Sequence, residues 1–129
     1  MSELSIFLAK MLGLYFLLLG VVGLLRKEQL KEMIREIGDN SAILWTVAIV
    51  ELGVGIAIIT GHSIWTGWPI VISAIGWAFL AEALFYILFP QKTIKKLTRR
   101  LTRPGWYSVG VIITLALGLY LAGLGFAIL

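Results

Sequence analysis

Three ionisable residues stand inside long apolar stretches of this sequence: Lys10, Glu51 and Glu82. A charged side chain at the centre of a bilayer costs at least ~2.5 to 3.5 kcal/mol on insertion scales, so such residues usually face protein or water. Each of the three therefore needs a proton, a counter-ion or a hydrogen-bond partner. Glu51, in the middle of the apolar run from Ala42 to Gly61, is the most informative of them about function.

Three roles for Glu51 and Glu82 are open. Each can be a neutral acid that donates a hydrogen bond to a neighbouring helix. The pair can instead line a path for protons or cations, or bind a cationic substrate or a cation of a partner subunit. Lys10 can reach down to Glu51 or extend to the outer headgroups, because its stem is long enough for either course. The other polar candidates near this depth are Tyr15, Trp77 and Thr114.

The elements that carry these residues follow from composition. The chain has 129 residues, of which 60% are hydrophobic and 14% charged, and a soluble domain of this length could not bury so much apolar surface. A helix needs ~20 mostly apolar residues to cross the hydrocarbon core, and four runs meet that length: 5–25, 41–60, 68–89 and 105–128. We therefore predict an all-α polytopic membrane protein, with residues 1–129 as a single membrane domain of four transmembrane helices.

The distribution of basic residues predicts the orientation of these helices. Of the 11 Lys and Arg residues, four lie in the first connection, six in the third and none in the second. Because cytoplasmic loops carry an excess of Lys and Arg, the first and third connections are expected in the cytoplasm and both termini outside. The N-terminal run has no basic segment before it and is too long for a signal peptide, so we expect it to be retained.

Both basic connections have the apolar spacing of amphipathic helices that lie at a membrane surface. Gly38 is a natural C′ residue for the first of them, and Asp39, Asn40 and Ser41 offer capping oxygens to the span that follows. The apolar stripes, expected to face the lipid, are Leu30, Met33, Ile34 and Ile37 in the first connection and Ile94, Leu97 and Leu101 in the third.

The third connection has six cations and no acidic residue. Such a helix is attracted to anionic lipid headgroups at ~1 kcal/mol per charge. The alternatives are that the charges only set the orientation, or that they dock an acidic cytoplasmic partner. A nucleic-acid partner is not expected, since the basic surface is small and lies at the membrane. The candidate headgroup-binding residues are Lys92, Lys95, Lys96, Arg99, Arg100 and Arg103.

The layout of the chain suggests an internal duplication. Each half reads as a span, a cytoplasmic amphipathic helix and a second span, and Gly13 in MLGLYF loosely matches Gly76 in AIGWAF. Two such halves would share one orientation and be related by an axis along the membrane normal. The alternative is that any four-span protein with two cytoplasmic connections has this layout.

Nothing positive in the sequence indicates an enzyme. His62 has no second histidine, no cysteine and no nearby carboxylate, so we expect an interfacial hydrogen-bonding residue rather than a metal ligand. The chain has no cysteine and none of the hydrolase, metalloprotease, P-loop or dinucleotide-binding motifs. We expect no catalytic residues, no cofactor and no metal ion. Aromatic residues expected to anchor the interfaces are Trp65 and Trp68 outside and Trp45, Trp106 and Tyr107 inside.

The segment from Gly61 to Pro90, GHSIWTGWPIVISAIGWAFLAEALFYILFP, resembles a group of small prokaryotic four-span membrane proteins. These carry a His-Asn-x-Trp turn, a further Trp, a Gly-Trp pair in the third span and a Pro after it. Ser63 stands where that group has Asn, and Glu82 where it has Lys or a small residue. The segment VELGVG, Val50 to Gly55, is more loosely similar to DoxX-like four-helix membrane proteins. The matching positions in the first group are His62, Trp65, Trp68, Gly76, Trp77 and Pro90.

These resemblances imply a compact four-helix fold in a prokaryotic cytoplasmic membrane, and neither of them implies a substrate. We expect a non-enzymatic structural or accessory subunit that associates with itself or with another membrane protein, with Glu51 as an internal polar contact. The alternative is a small proton- or cation-coupled transporter or channel that uses Glu51 and Glu82.

Overall fold

The computed structural model describes residues 3–62 and 65–126, and these ranges contain six α-helices and no strand. Four helices, α1, α3, α4 and α6, are long and apolar enough to cross a membrane. The predicted all-α class with four such helices is therefore confirmed, and the observed ends lie within a few residues of the predicted ones. The helices are α1 (Glu3–Leu25), α2 (Lys27–Asp39), α3 (Ser41–Gly61), α4 (Ile70–Leu88), α5 (Gln91–Leu101) and α6 (Pro104–Gly125).

Local sequence explains where the helices begin. Asn40 Oδ1 accepts hydrogen bonds from the backbone nitrogens of Ala42 at 2.9 Å and Ile43 at 3.3 Å. Of the predicted capping residues, Asn40 is thus the one at the N-cap of α3. Proline marks the start of two later helices: Pro69 precedes α4 and Pro104 opens α6. A proline is tolerated there because the first backbone N–H of a helix has no intrahelical partner.

The chain forms two compact units. Unit 1 contains α1 and α6, and unit 2 contains α3 and α4. The connecting helices are divided between them, α2 after Met33 and α5 after Arg99. Each unit therefore pairs one span from the first half of the sequence with one span from the second half.

Unit 1 is held by a close approach of α1 and α6 at residues without side chains. A Cβ atom on Gly118 would lie 2.6 Å from the backbone nitrogen of Leu17 and 3.0 Å from the carbonyl oxygen of Gly13. Gly13 in turn lies against the backbone of Ala122. In lipid the hydrophobic effect does not drive helices together, so close backbone packing supplies much of the attraction.

Unit 2 repeats this contact between α3 and α4. A Cβ atom on Gly55 would lie 2.8 Å from the backbone nitrogen of Leu80 and 3.1 Å from the carbonyl oxygen of Gly76. Gly76 itself packs against the side chain of Ile58. As in unit 1, the two helices approach so closely that a methyl group does not fit between them.

The two units place corresponding residues in the same contacts, with one constant offset in the sequence. The corresponding pairs are Gly13 and Gly76, Leu17 and Leu80, and Gly55 and Gly118, each separated by 63 positions. This agreement supports a duplication in which α1 to α3 form one repeat and α4 to α6 the other. A coincidental similarity of layout would not place the same backbone contacts at one offset.

The apolar stripe of α5 does not face the lipid at Ile94, and that prediction is wrong. An apolar stripe is stabilised by lipid or by protein, and periodicity alone does not distinguish the two. Ile94 is fully buried in a cluster whose other members are Leu44, Ala48 and Tyr86.

Gly38 is not a C′ residue as predicted, because it lies inside α2. Its missing side chain serves the packing of α2 against α5: a Cβ atom there would lie 2.9 Å from the Cα atom of Lys95 and would meet Thr98. The Gln91 side chain also donates a 2.8 Å hydrogen bond to the Gly38 carbonyl oxygen. The connecting helices therefore pack on each other within unit 2.

Candidate functional site

Tyr86 connects the buried core of unit 2 with an intramembrane carboxyl group. The Tyr86 side chain is buried, and its hydroxyl donates a 2.6 Å hydrogen bond to Oε1 of Glu82. The two residues share one face of α4, because side chains four positions apart are neighbours on a helix. The Glu82 side chain itself is exposed on the surface of the chain.

Glu51 reaches the same place from α3. Its carboxyl group lies close enough to that of Glu82 for the two to interact electrostatically. Glu51 is half-buried, and its Oε2 atom is buried without a hydrogen-bond partner among the described residues. We refer to Glu51, Glu82 and Tyr86 as the carboxyl cluster.

The chemistry open to the carboxyl cluster is that of proton and hydrogen-bond exchange. It combines two carboxyl groups with one phenol, and the Oε2 atom of Glu51 can accept a further donor. Within residues 3–62 and 65–126, no three His, Cys, Asp or Glu side chains come together as a metal site would require. The cluster can hold a proton, bind a cationic group or tie one helix to another.

The other intramembrane candidates lie elsewhere. The ammonium of Lys10, in unit 1, is 5.3 Å from the ring centroid of Phe126, beyond the end of α6. This contact lies toward the end of α6 that is predicted to face outside, and whether Lys10 reaches the outer headgroups stays a prediction. The hydroxyl of Thr114 donates a 2.8 Å hydrogen bond within its own helix, to the Gly110 carbonyl oxygen. The remaining candidates, both exposed, are Tyr15 and Trp77.

Asp39 lies beside two of the six cations of the third connection. Its Oδ1 atom is 3.9 Å from the Lys95 ammonium and 3.7 Å from the Arg99 guanidinium. The sequence shows no acid in that connection, and the structure supplies one from α2. The side chains are 50%, 58% and 42% exposed for Lys95, Arg99 and Asp39, so these ion pairs are weak. The other candidate headgroup-binding residues, all exposed, are Lys92, Lys96, Arg100 and Arg103.

His62 forms hydrogen bonds as expected, although its side chain is buried. Its Nδ1 atom is 3.0 Å from the Ser73 hydroxyl, which also donates to the His62 carbonyl oxygen at 3.3 Å.

The predicted aromatic anchors are not all exposed. Tyr107 is buried, with 6% of its surface exposed, and so is not exposed to a membrane interface as predicted. The exposed anchors are Trp45, Trp65 and Trp106.

Tyr86 is the member of the carboxyl cluster that sequence reasoning missed. Its position four residues after Glu82 is a visible signal, because a tyrosine on the same helix face can reach a carboxyl group. No family model, curated protein or solved structure matches this chain.

Proposed function

We propose that this protein is a non-enzymatic integral membrane protein of a prokaryotic cytoplasmic membrane, where it acts as a structural or accessory subunit and associates with a second copy of itself. The exposure of Glu82 on a helix apolar enough to span a membrane carries the proposal. A carboxyl group that faces lipid is costly, and Tyr86 donates to only one of its oxygens. A neighbouring chain that covers Glu82 removes that cost.

Small residues on the same face of α4 support association there. Ala74, Ala78 and Glu82 follow one another at four-residue spacing, and all three are exposed. Such a row lets two helices in lipid approach closely, and a polar side chain adds an interhelical hydrogen bond of about 0.6 kcal/mol. Copies with the same orientation can pair these rows about a two-fold axis, because a two-fold interface uses one surface twice.

The test measures the molar mass of the purified protein in mild detergent by size-exclusion chromatography with light scattering. We expect a dimer for the natural chain. Ala78→Leu should raise its dissociation constant about tenfold, as overpacking costs about 1 to 3 kcal/mol. The matched control is Ala116→Leu on the exposed surface of α6, which should leave the dimer unchanged. A natural chain that is strictly monomeric contradicts self-association, and a different co-purifying membrane protein would identify a heteromeric subunit instead.

Variants of the two carboxyl side chains test whether the dimer interface needs a charged group or only a polar one. Glu82→Gln should keep the dimer, because an amide still hydrogen-bonds across a helix interface. Glu82→Leu should weaken association, because it removes the polar group. Glu51→Gln is expected to preserve assembly. Equal dimerisation of the Glu82→Gln and Glu82→Leu variants would show that the carboxyl group has no part in the interface.

The meeting of Glu51 and Glu82 favours a second candidate, a small proton- or cation-coupled transporter or channel. Intramembrane carboxyl groups mark such paths, and the Glu51 Oε2 atom has capacity for a ligand. This candidate predicts pH-dependent proton or cation flux in liposomes that Glu51→Gln abolishes. Flux that Glu51→Gln leaves unchanged would exclude the carboxyl cluster as the path.

The exposed cations of α5 bind anionic lipid headgroups on the cytoplasmic side of the membrane. Each exposed cation near such a surface contributes about 1 kcal/mol. Lys95 and Arg99 are the least available, since both also face Asp39. Lys92→Gln should therefore weaken binding to anionic vesicles more than Lys95→Gln does.

A further inference from the structure

Tyr107 holds two lysine ammonium groups where α1 ends and α6 begins. The ammonium of Lys31 is 5.1 Å from the ring centroid and that of Lys27 is 6.0 Å from it. The ring is fixed in place, because Tyr107 is buried and its hydroxyl donates a 2.7 Å hydrogen bond to the Gly23 carbonyl oxygen. A cation within about 6 Å of an aromatic ring is attracted to its face. One buried, hydrogen-bonded ring therefore lies beside both charges.

Neither ammonium forms an ion pair among the described residues, although Glu28 lies near enough to Tyr107 to act on it electrostatically. Within residues 3–62 and 65–126, neither ammonium has a carboxylate oxygen within 4.0 Å, and this holds also for the nearby Glu28 and Glu32. The Lys31 side chain is only 6% exposed, whereas lysine is rarely buried without a partner. Two like charges on one ring repel each other, so the arrangement favours an anion from outside the chain.

The corresponding place in unit 2 shows that this packing does not need a lysine. The offset of 63 residues relates Lys31 to Ile94 and Tyr107 to Leu44. The same offset relates Tyr86 and Ala48, the other two members of the buried cluster in unit 2, to residues of unit 1. That cluster is apolar except for the Tyr86 hydroxyl. Lys31 is thus a charged residue at a position where the other unit has an apolar one. The four corresponding pairs are Gly23 and Tyr86, Lys31 and Ile94, Leu44 and Tyr107, and Ala48 and Val111.

We propose that Lys27 and Lys31, positioned by Tyr107, bind the phosphate group of a single anionic phospholipid. The site follows Leu25, the last residue of α1, and lies next to Pro104, the first residue of α6. That is the depth of the headgroups beside a helix that crosses the hydrocarbon core. A lipid phosphate accepts charge-assisted hydrogen bonds from both ammonium groups, and basic pockets beside membrane helices recognise such headgroups.

This site differs from the cations of α5 in its construction. The α5 cations are exposed and attract any anionic surface collectively. Lys31 is instead buried, and its ammonium lies 5.1 Å from the centroid of a buried aromatic ring. The site is therefore expected to bind one lipid molecule with a defined stoichiometry, whether or not the protein dimerises through α4.

Native mass spectrometry of the full chain in mild detergent measures this binding directly. Titration with phosphatidylglycerol should give one first-bound lipid at lower concentration than titration with phosphatidylcholine, which has the same phosphate but no net charge. The variant Lys27→Gln/Lys31→Gln should lose about 30-fold in affinity for that first lipid, from about 1 kcal/mol per cation. Lys10→Gln, which removes one cation of unit 1 from a place beside Phe126, is the control for Lys27→Gln alone and should leave the affinity for the first lipid unchanged.

Further variants keep the test decisive if the double variant does not fold. Lys27→Gln alone changes an exposed residue and should cost about fivefold. Tyr107→Leu installs the residue found at the corresponding place of unit 2 and should weaken binding by about fivefold, whereas Tyr107→Phe keeps the ring and should cost less than about twofold. Equal losses in the Lys27→Gln and Lys10→Gln variants would overturn the proposal, as would equal affinity for the two lipids.

Inorganic phosphate and glycerol phosphate distinguish a lipid from a free phosphate. If the ligand is a lipid, neither compound should displace phosphatidylglycerol at a concentration equal to that of the lipid. Displacement by free phosphate at equal concentration would identify a soluble ligand and overturn the assignment to a lipid.

Discussion

The hydroxyl group of Tyr86 lies 2.6 Å from Oε1 of Glu82, and this hydrogen bond links the buried core of unit 2 to a carboxyl group on the surface of a membrane-spanning helix. Tyr86→Phe removes the bond and keeps the ring. The free energy of unfolding should fall by about 0.6 to 1.5 kcal/mol, the range for one such bond in membrane or soluble proteins. Denaturation by SDS in mixed micelles, followed by circular dichroism, measures it.

Tyr15→Phe is the matched control for that measurement. Tyr15 is 59% exposed, so loss of its hydroxyl should leave the unfolding free energy unchanged. A Tyr86→Phe variant as stable as Tyr15→Phe would mean that the bond to Glu82 contributes no stability.

The close contacts of the two units should respond alike to one added methyl group. Gly118→Ala places a Cβ atom 2.6 Å from a backbone nitrogen, and Gly55→Ala places one at 2.8 Å. Each should cost about 1 to 3 kcal/mol, because the helices must move apart. Gly110→Ala, where no atom lies within 4 Å of the new Cβ, should be neutral or stabilising by up to about 1 kcal/mol. The same SDS titration ranks the three variants, and a ranking with Gly110→Ala lowest would refute this packing.

Two adjacent residues of α2 should differ sharply in their effect. Gly38→Ala sets a Cβ atom 2.9 Å from the Cα atom of Lys95 and should destabilise unit 2 by about 1 to 3 kcal/mol. Asp39→Asn removes two ion pairs of half-exposed side chains and should cost under about 1 kcal/mol. If Asp39→Asn proved the more damaging change, charge rather than packing would join α2 to α5.

The predicted orientation can be read from single cysteines, because the natural chain has none. Thr66→Cys in the second connection should react with a membrane-impermeant maleimide in intact cells. Thr93→Cys in the third connection should react only after the membrane is permeabilised, since basic loops stay in the cytoplasm. Both threonines are exposed, so a reversed result would reverse the topology.

The spans and the cap of α3 could be predicted from the sequence because each depends on local properties. Hydropathy over about 20 residues defines a spanning helix, and the Asn40 side chain caps the backbone two and three residues away. The pairing of the spans could not be predicted in this way. Apart from single residues such as Lys10, Glu51 and Glu82, none of the four has a continuous polar face that would indicate which side meets which helix.

The residues of the candidate site could likewise be identified from the sequence, whereas their proximity in the fold could not. Glu51 and Glu82 stand out by charge alone, but their meeting depends on how α3 packs against α4. The spacing of Tyr86 from Glu82 indicates that they share one face of α4, but the sequence does not show that Tyr86 is buried in protein. The lipid-facing prediction for Ile94 is wrong for a related reason: an amphipathic pattern identifies a buried face without identifying what buries it.

The pairing of α1 with α6 has a consequence for the newly synthesised chain. α3 and α4 are consecutive and can meet soon after both have entered the bilayer. α1 is made first, but about 80 residues must follow before α6 appears, which takes about 4 to 16 s at ~5 to 20 residues per second. During that interval the face of α1 around Gly13 has no partner of its own. Two nascent chains made side by side can then exchange their last helices, and slow translation of the second half would favour that swapped dimer.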